Sequence, residues 1–272
     1  MSTPVTPRKT ARYGWTPDLP DARDHLFAAP RPTVEALPPS ADLRAQCPPV
    51  YDQERIGSCT ANAIGAAFEF DTMKQGLADF MPSRLFIYYN ERAMEGNAGI
   101  DSGAQIRDGV KSVSQLGVCP ETEWPYDGRE ADQVTGAFPP GDPAGEQPPD
   151  TCYKDALNNR ATSYSRVTRD LDQMKACLAA GYPFVFGFTV YESFESTEVA
   201  QSGVVPMPDT ANEKVMGGHA VLAVGYDDAT QMFIVRNSWG TSWGQAGYFM
   251  MPYAYLTTRG LSSDFWTIRL VD

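Results

Sequence analysis

From Ser58 onward, small and apolar side chains recur at helical spacing: Ala61, Ile64, Ala67 and Phe68, until Gly76 ends the run. The pattern predicts a buried helix with Cys59 at its start. Ser83 as a cap, followed by Leu85, Phe86, Tyr89 and Met94, predicts a second helix. Ile106, Val110, Val113 and Leu116 before Gly117 predict a third. The first half of the chain thus reads as mainly helical. After one more helical stretch around Leu171, Met174 and Leu178, closed by Gly181, the period shortens. PFVFGFTV, HAVLAVGY, MFIVRNSW, GYFMMPY and DFWTIRL are β-type runs, so the second half reads as mainly β. The acidic turn at 227–230 between two of them suits a hairpin, which places His219 and Asn237 on neighbouring strands of one sheet.

Two segments break the pattern. Residues 1–46 carry Pro4, Pro7, Pro17, Pro20, Pro30, Pro32, Pro38 and Pro39, which disfavours regular structure and predicts an extended arm. Residues 127–151 collect Pro139, Pro140, Gly141, Pro143, Gly145, Pro148 and Pro149 with several acids, a composition for an exposed connector. The organisation read from these shifts is an arm over 1–46, a helical lobe over 47–130 holding Cys59, a connector over 131–151, and a β lobe over 152–272 holding His219 and Asn237. The fold class is α+β.

A chain of 272 residues, 42% hydrophobic and 21% charged, can bury enough apolar surface to fold unaided. No stretch approaches the roughly 18 to 20 apolar residues of a membrane span, so no membrane partner is expected. With a formal net charge of -12 the chain lacks the basic footprint that grips phosphate backbones, and nucleic acid is not an expected partner. Charge is uneven: residues 1–46 hold six Lys or Arg against five acids, while the remainder holds sixteen against twenty-nine. Arg8, Lys9 and Arg12 precede any acid, so the N-terminus is able to dock on the acidic body, or else to stay a solvated tail. The first residues lack an apolar signal core, which implies a cytoplasmic protein if this N-terminus is native and a secreted one if a signal was removed.

Five cysteines stand at 47, 59, 119, 152 and 177, without the close pairs or Cys/His clusters of a zinc site, so neither metal nor cofactor is expected. Cys119 and Cys152 flank the connector as one candidate pair, with Cys47 and Cys177 as another; spacing alone does not choose. Cys59 is the chemically placed one, because a helix N-terminus presents unpaired N–H groups that favour thiolate over thiol. A base must serve it, and the chain has only two histidines. His25 lies in the proline-rich arm, and His219 opens an apolar β run. Alone, a strand histidine is more often a satisfied core residue than a catalyst.

The neighbours change that balance. GSCTANA around Cys59, GGHAVLAVGY around His219 and NSWGTSWGQAGY from Asn237, in that order, resemble the three active-site blocks of the papain family of cysteine peptidases. The resemblance implies a two-lobe fold, with a mainly helical left lobe, an antiparallel β-barrel-like right lobe, and the active-site cleft between them. It also implies Cys59 as nucleophile, His219 as general base and acid, Asn237 as the group orienting the imidazole, and Gln53 as the oxyanion-hole glutamine. Ser102, Gly103 and Gly218 are expected to touch substrate along the cleft, as is Trp239, which would also shield the Asn–His hydrogen bond. The implied activity is endopeptidase action on an extended polypeptide by a monomer. A Cys–His amidase or transglutaminase-like acyltransferase, and a catalytically silent binding protein, are the alternatives.

The chain also departs from the family's pattern. Ile56 stands where the family usually has a disulfide cysteine, and Ile100 at the partner position, an apolar pair expected to replace the bridge by packing. Glu54 occupies a position commonly Gly, so a positive φ there would strain it. Thr60 replaces an aromatic residue, and Ser102 an expected glycine. Nothing in residues 1–46 has the pattern of the family's long helical zymogen propeptide, and the arm is expected instead to lie across or beside the cleft as a short intramolecular latch.

Overall fold

The helix that begins at Cys59 runs through the middle of the molecule because its residues are small on every side. Ala61, Ala63, Gly65, Ala66 and Ala67 let neighbours approach closely, and nearly the whole helix is buried. The computed structural model describes residues 6–272; residues 1–5, with Pro4 of the predicted arm, lie outside the described residues. In chain order the elements begin with a two-residue strand β1 (Leu26–Phe27), a short helix α1 (Arg31–Glu35) and strand β2 (Ser40–Asp42). The helical half follows with α2 (Cys59–Lys74), α3 (Arg84–Met94) and α4 (Ile106–Gln115), which pack on one another.

Local chemistry sets the ends of these helices. Ser83 accepts a hydrogen bond at 3.1 Å from the Phe86 N–H, capping α3 as its sequence predicts. Gly76 and Gly117 take positive φ just beyond α2 and α4, the left-handed exit that only glycine adopts without cost. Past the connector come α5 (Asp150–Ala156), β3 (Ala161–Val167), α6 (Leu171–Ala179), β4 (Phe184–Tyr191), α7 (Thr197–Ser202), β5 (Val215–Asp227), β6 (Met232–Arg236), β7 (Tyr248–Pro252), α8 (Tyr253–Thr257) and β8 (Ser262–Val271).

The sheet runs β1-β3-β8-β4-β5-β6-β7, with β2 pairing separately on β5. Every pair is antiparallel except β1 on β3, and the path is open rather than closed into a barrel. Along β4 and β5, His219 lies opposite Phe188 and Gly218 opposite Thr189. The 227–230 turn joins β5 to β6, and Asn237 follows the last residue of β6.

Residues 6–46 are more ordered than their prolines imply. Most of the segment is extended, but β1 adds to β3 in parallel and β2 adds to β5. Pro30 and the residues after it begin α1, where a missing N–H costs nothing. The Leu43 N–H bonds to the Val224 carbonyl at 2.8 Å and the Leu43 side chain enters the core. The docking of basic residues expected from charge is also present, with Lys9 on Asp52 at 3.0 Å and Arg8 on Glu195 at 3.5 Å.

Candidate active site

Two lobes meet at the start of α2. Ser58 and Cys59 turn the chain into the helix, and the Cys59 sulfur accepts the Ala220 N–H at 3.4 Å, so it lies beside the residue that follows His219. The imidazole is fixed from its far side. His219 Nε2 lies 2.8 Å from Asn237 Oδ1, and the same oxygen accepts the Ser238 N–H at 2.9 Å. A backbone donor on that atom identifies it as the amide oxygen, so Nε2 must carry the ring proton and Nδ1 is the bare nitrogen. His219 Nδ1 is buried and has no hydrogen-bond partner among the described residues. Trp239 stacks on the ring at 5.2 Å between centroids and 27° between planes, and is itself fully buried.

Gln53 is buried on the loop that leads into α2. Its Nε2 donates to the Ile56 carbonyl at 3.0 Å, and its Oε1 accepts from Ser238 Oγ at 2.6 Å, tying this loop to the segment after Asn237. Glu54 has φ +54°, the conformation in which a side chain is strained, and its carboxylate compensates by accepting the Gly128 N–H at 3.0 Å. Tyr126 Oη reaches the Gln53 carbonyl at 2.7 Å and Ser58 Oγ at 2.6 Å. The segment at 126–128, just before the connector, thus braces the loop between Gln53 and the nucleophile candidate.

The cleft is occupied by the chain's own arm. Trp15 N–H donates to the Gly218 carbonyl at 2.9 Å, Ala104 N–H to the Gly14 carbonyl at 2.7 Å, and Thr16 N–H to the Ala104 carbonyl at 3.1 Å, a short parallel pairing. Tyr13 packs edge-on against His219 at 5.7 Å. The Trp15 ring lies where a Cβ on Gly187 would fall 1.9 Å away, and its Nε1–H donates to Asp264 at 3.1 Å. The backbone N–H groups of Ala220, Gly14 and Thr60 reach the Cys59 sulfur, but burial outweighs them and pushes the thiol up to about 12. Burial likewise pushes His219 down to about 4 against its bond to Asn237. Burial beneath the arm thus favours the neutral form of each group, opposing the helix N-terminus at Cys59.

The model of the papain family cysteine proteases matches residues 37–265. The chain belongs to that family. As a member it is a cysteine endopeptidase with the family's α+β fold. It is similar to a peptidase C1-like protein of Acanthamoeba polyphaga mimivirus, 39% identical over 95% of this chain and 87% of the relative. The crystal structure of xylellain, a cysteine protease from Xylella fastidiosa, is 51% identical over 97% of this chain and 98% of that one, with a TM-score of 0.90. A procathepsin B from Trypanosoma congolense shares the fold at 20% identity and a TM-score of 0.69, over 88% of this chain and 80% of that one.

Against the papain-family pattern, two expectations need correction. Ile56 is fully buried, but Ile100 is 38% exposed and bridges to Ala137 of the connector, so the pair does not stand in for a disulfide by packing. A polar tie holds the loop instead: the Asp101 carboxylate accepts the Gly57 N–H at 3.0 Å and the Tyr88 hydroxyl. Secondly, the wall residue that pairs with a strand in the cleft is Ala104, which sequence reasoning missed. Gly103 N–H is taken by Tyr88 Oη at 3.2 Å, and Ser102 Oγ turns to the Gly103 carbonyl, but Gly103 still lies against the arm, where a Cβ would meet the Gly14 carbonyl oxygen at 2.2 Å. Gly218 does face the occupied cleft through its carbonyl. The signal for Ala104 was its place at the end of the glycine-containing loop before α4, which has no period to read.

Proposed function

We propose that Cys59 is the nucleophile of this endopeptidase, His219 its general base and acid, and Asn237 the residue that orients the imidazole. The observation that carries the reading is the bare, buried Nδ1 of His219 on the strand whose next N–H holds the Cys59 sulfur. With the arm displaced, Nδ1 takes the thiol proton and the sulfur attacks the peptide carbonyl carbon. The tetrahedral oxygen is held by the Cys59 N–H and the Gln53 amide, and His219 returns the proton to the leaving amine as the thioester forms. Water, deprotonated by the same nitrogen, then releases the acid. The substrate class is extended polypeptide, laid between the Ala104 edge and the Gly218 carbonyl.

Residues 6–25 act in this reading as an intramolecular inhibitor. Paired with Ala104 and with the Gly218 carbonyl, the arm fills the slot that a substrate strand would take and so blocks it. The test is stoichiometric labelling by an epoxysuccinyl thiol inhibitor together with turnover of a fluorogenic peptide. Labelling and turnover are expected to vanish in Cys59→Ala and to rise when the arm is removed. Labelling that persists in Cys59→Ala refutes the nucleophile assignment.

A further inference from the structure

Cys119 and Cys152 stand on either side of the connector, one on the loop after α4 and the other in the first turn of α5. Folding brings them together. They are 0% and 1% exposed, both are free thiols, and the two sulfurs and a Glu123 carboxylate oxygen all lie within 4.8 Å of one another. The Glu123 carboxyl in turn bonds to that of Asp155. The charged side chains bearing on this pair are therefore acidic, and burial with these carboxylates raises both thiols above their ordinary value.

We propose that Cys119 and Cys152 form a structural disulfide, leaving Cys47, Cys59 and Cys177 as free thiols. The co-reactant is a small disulfide such as oxidised glutathione. One cysteine thiolate attacks it and releases a first small thiol; the second cysteine displaces the other from the mixed disulfide, so two protein thiols are oxidised as one disulfide is reduced to two thiols. Exchange takes place during folding, before the pair is closed off. A high thiol pKa makes each sulfur a poor leaving group, which marks a bond that resists reduction rather than a labile one.

The bond has a functional consequence through what it encloses. Residues 120–151 become a closed loop, and that loop carries Tyr126 and Gly128, the residues that brace Gln53, Glu54 and Ser58 beside the nucleophile. Arg55 N–H also bonds to the Gly128 carbonyl. The staple therefore holds the 126–128 segment of this closed loop against the loop that leads into α2.

The experiment uses the full chain with Cys59→Ala, which removes autolysis and the reactive thiol, folded in a buffer of oxidised and reduced glutathione. Thiol counting in denaturant is expected to find two free thiols of four, and peptide mapping a fragment joining Cys119 to Cys152. Reduction is expected to lower the thermal midpoint by roughly 5 to 15 °C. The Cys119→Ser, Cys152→Ser double variant should show no such difference between oxidised and reduced samples. Four free thiols, a link through Cys47 or Cys177, or a stoichiometric zinc ion held by the reduced pair overturns the proposal. The thiol count is made with both cysteines in place, so it stands even if the serine variant does not fold.

Discussion

One amide oxygen decides which nitrogen of His219 is bare and so able to serve as the base in the proposed mechanism. Asn237 Oδ1 accepts the Nε2–H at 2.8 Å, and Asn237→Ala removes the acceptor that fixes the tautomer. We expect kcat of the arm-free enzyme to fall about a hundredfold from the misoriented ring, with KM little changed. An equal loss in KM alone would point to a substrate contact instead. Cys59 gives a pH prediction. Burial raises its covered thiol from an ordinary 9 to about 12, so this preference for the covered state is complete below the pKa of the uncovered thiol and lost as pH rises through 12. His219, lowered from 6.5 to about 4, favours the covered state above pH 6.5 and loses that preference as pH falls through 4. Asp264, pushed up to about 7 by burial beside Asp18, works against the acid limb, which makes the alkaline limb the diagnostic one. Iodoacetamide labelling of the full chain should therefore keep rising to pH 10.5, whereas labelling of the arm-free chain should level off below pH 8. Coincident profiles would remove the arm as the cause of the raised thiol.

At the scale of elements, the proposed function has the arm strand over 13–16 compete with substrate for one slot, and β4 and β5 each carry a glycine where that strand lies. A Cβ on Gly187 would lie 1.9 Å from the Trp15 ring, and one on Gly218 2.4 Å from the Trp15 carbonyl oxygen. Gly187→Ala should push Trp15 out at a cost of about 1 to 3 kcal/mol, raising full-chain turnover by roughly ten- to a hundredfold. The same substitution in the arm-free chain is the control, and an equal rise there would show an effect on substrate rather than on the arm. These contacts were outside the reach of the sequence, because nothing local to Trp15 names Gly187 or Ala104 as its neighbour. The helices were legible for the opposite reason: Ser83, Gly76, Gly117 and Gly181 act within a turn of where they stand. The positive φ of Glu54 was legible through the family resemblance, while the polar tie of Asp101 to Gly57 was not, since a carboxylate bonding to a backbone N–H leaves no periodic trace.

Over the whole molecule the arm is two things joined end to end. Its first part is clamped across both lobes by charge: Arg107 on α4 pairs with Asp18 at 3.1 Å and with Asp24, and Arg166 on β3 pairs with Asp18, Asp24 and Asp264 at 3.0 to 3.1 Å. Its last part belongs to the sheet, with β2 on β5, Leu43 in the core and the Tyr226 hydroxyl on the Pro38 carbonyl at 2.6 Å. The family match begins at residue 37, inside that second part. A boundary at 46, drawn from proline content, does not register the pairing of β2 on β5, because proline reports backbone freedom and not pairing. Deleting residues 1–25 should release an active enzyme whose guanidinium groups are simply rehydrated, with a thermal midpoint within a few degrees of the full chain. Deleting residues 1–46 should strip a paired edge from β5, expose the core beneath Leu43, and lower the midpoint by roughly 10 °C or more with loss of activity. Thermal denaturation and peptide turnover on the two truncations separate the parts: if the longer deletion is as stable and active as the shorter, β2 is not a member of the catalytic fold.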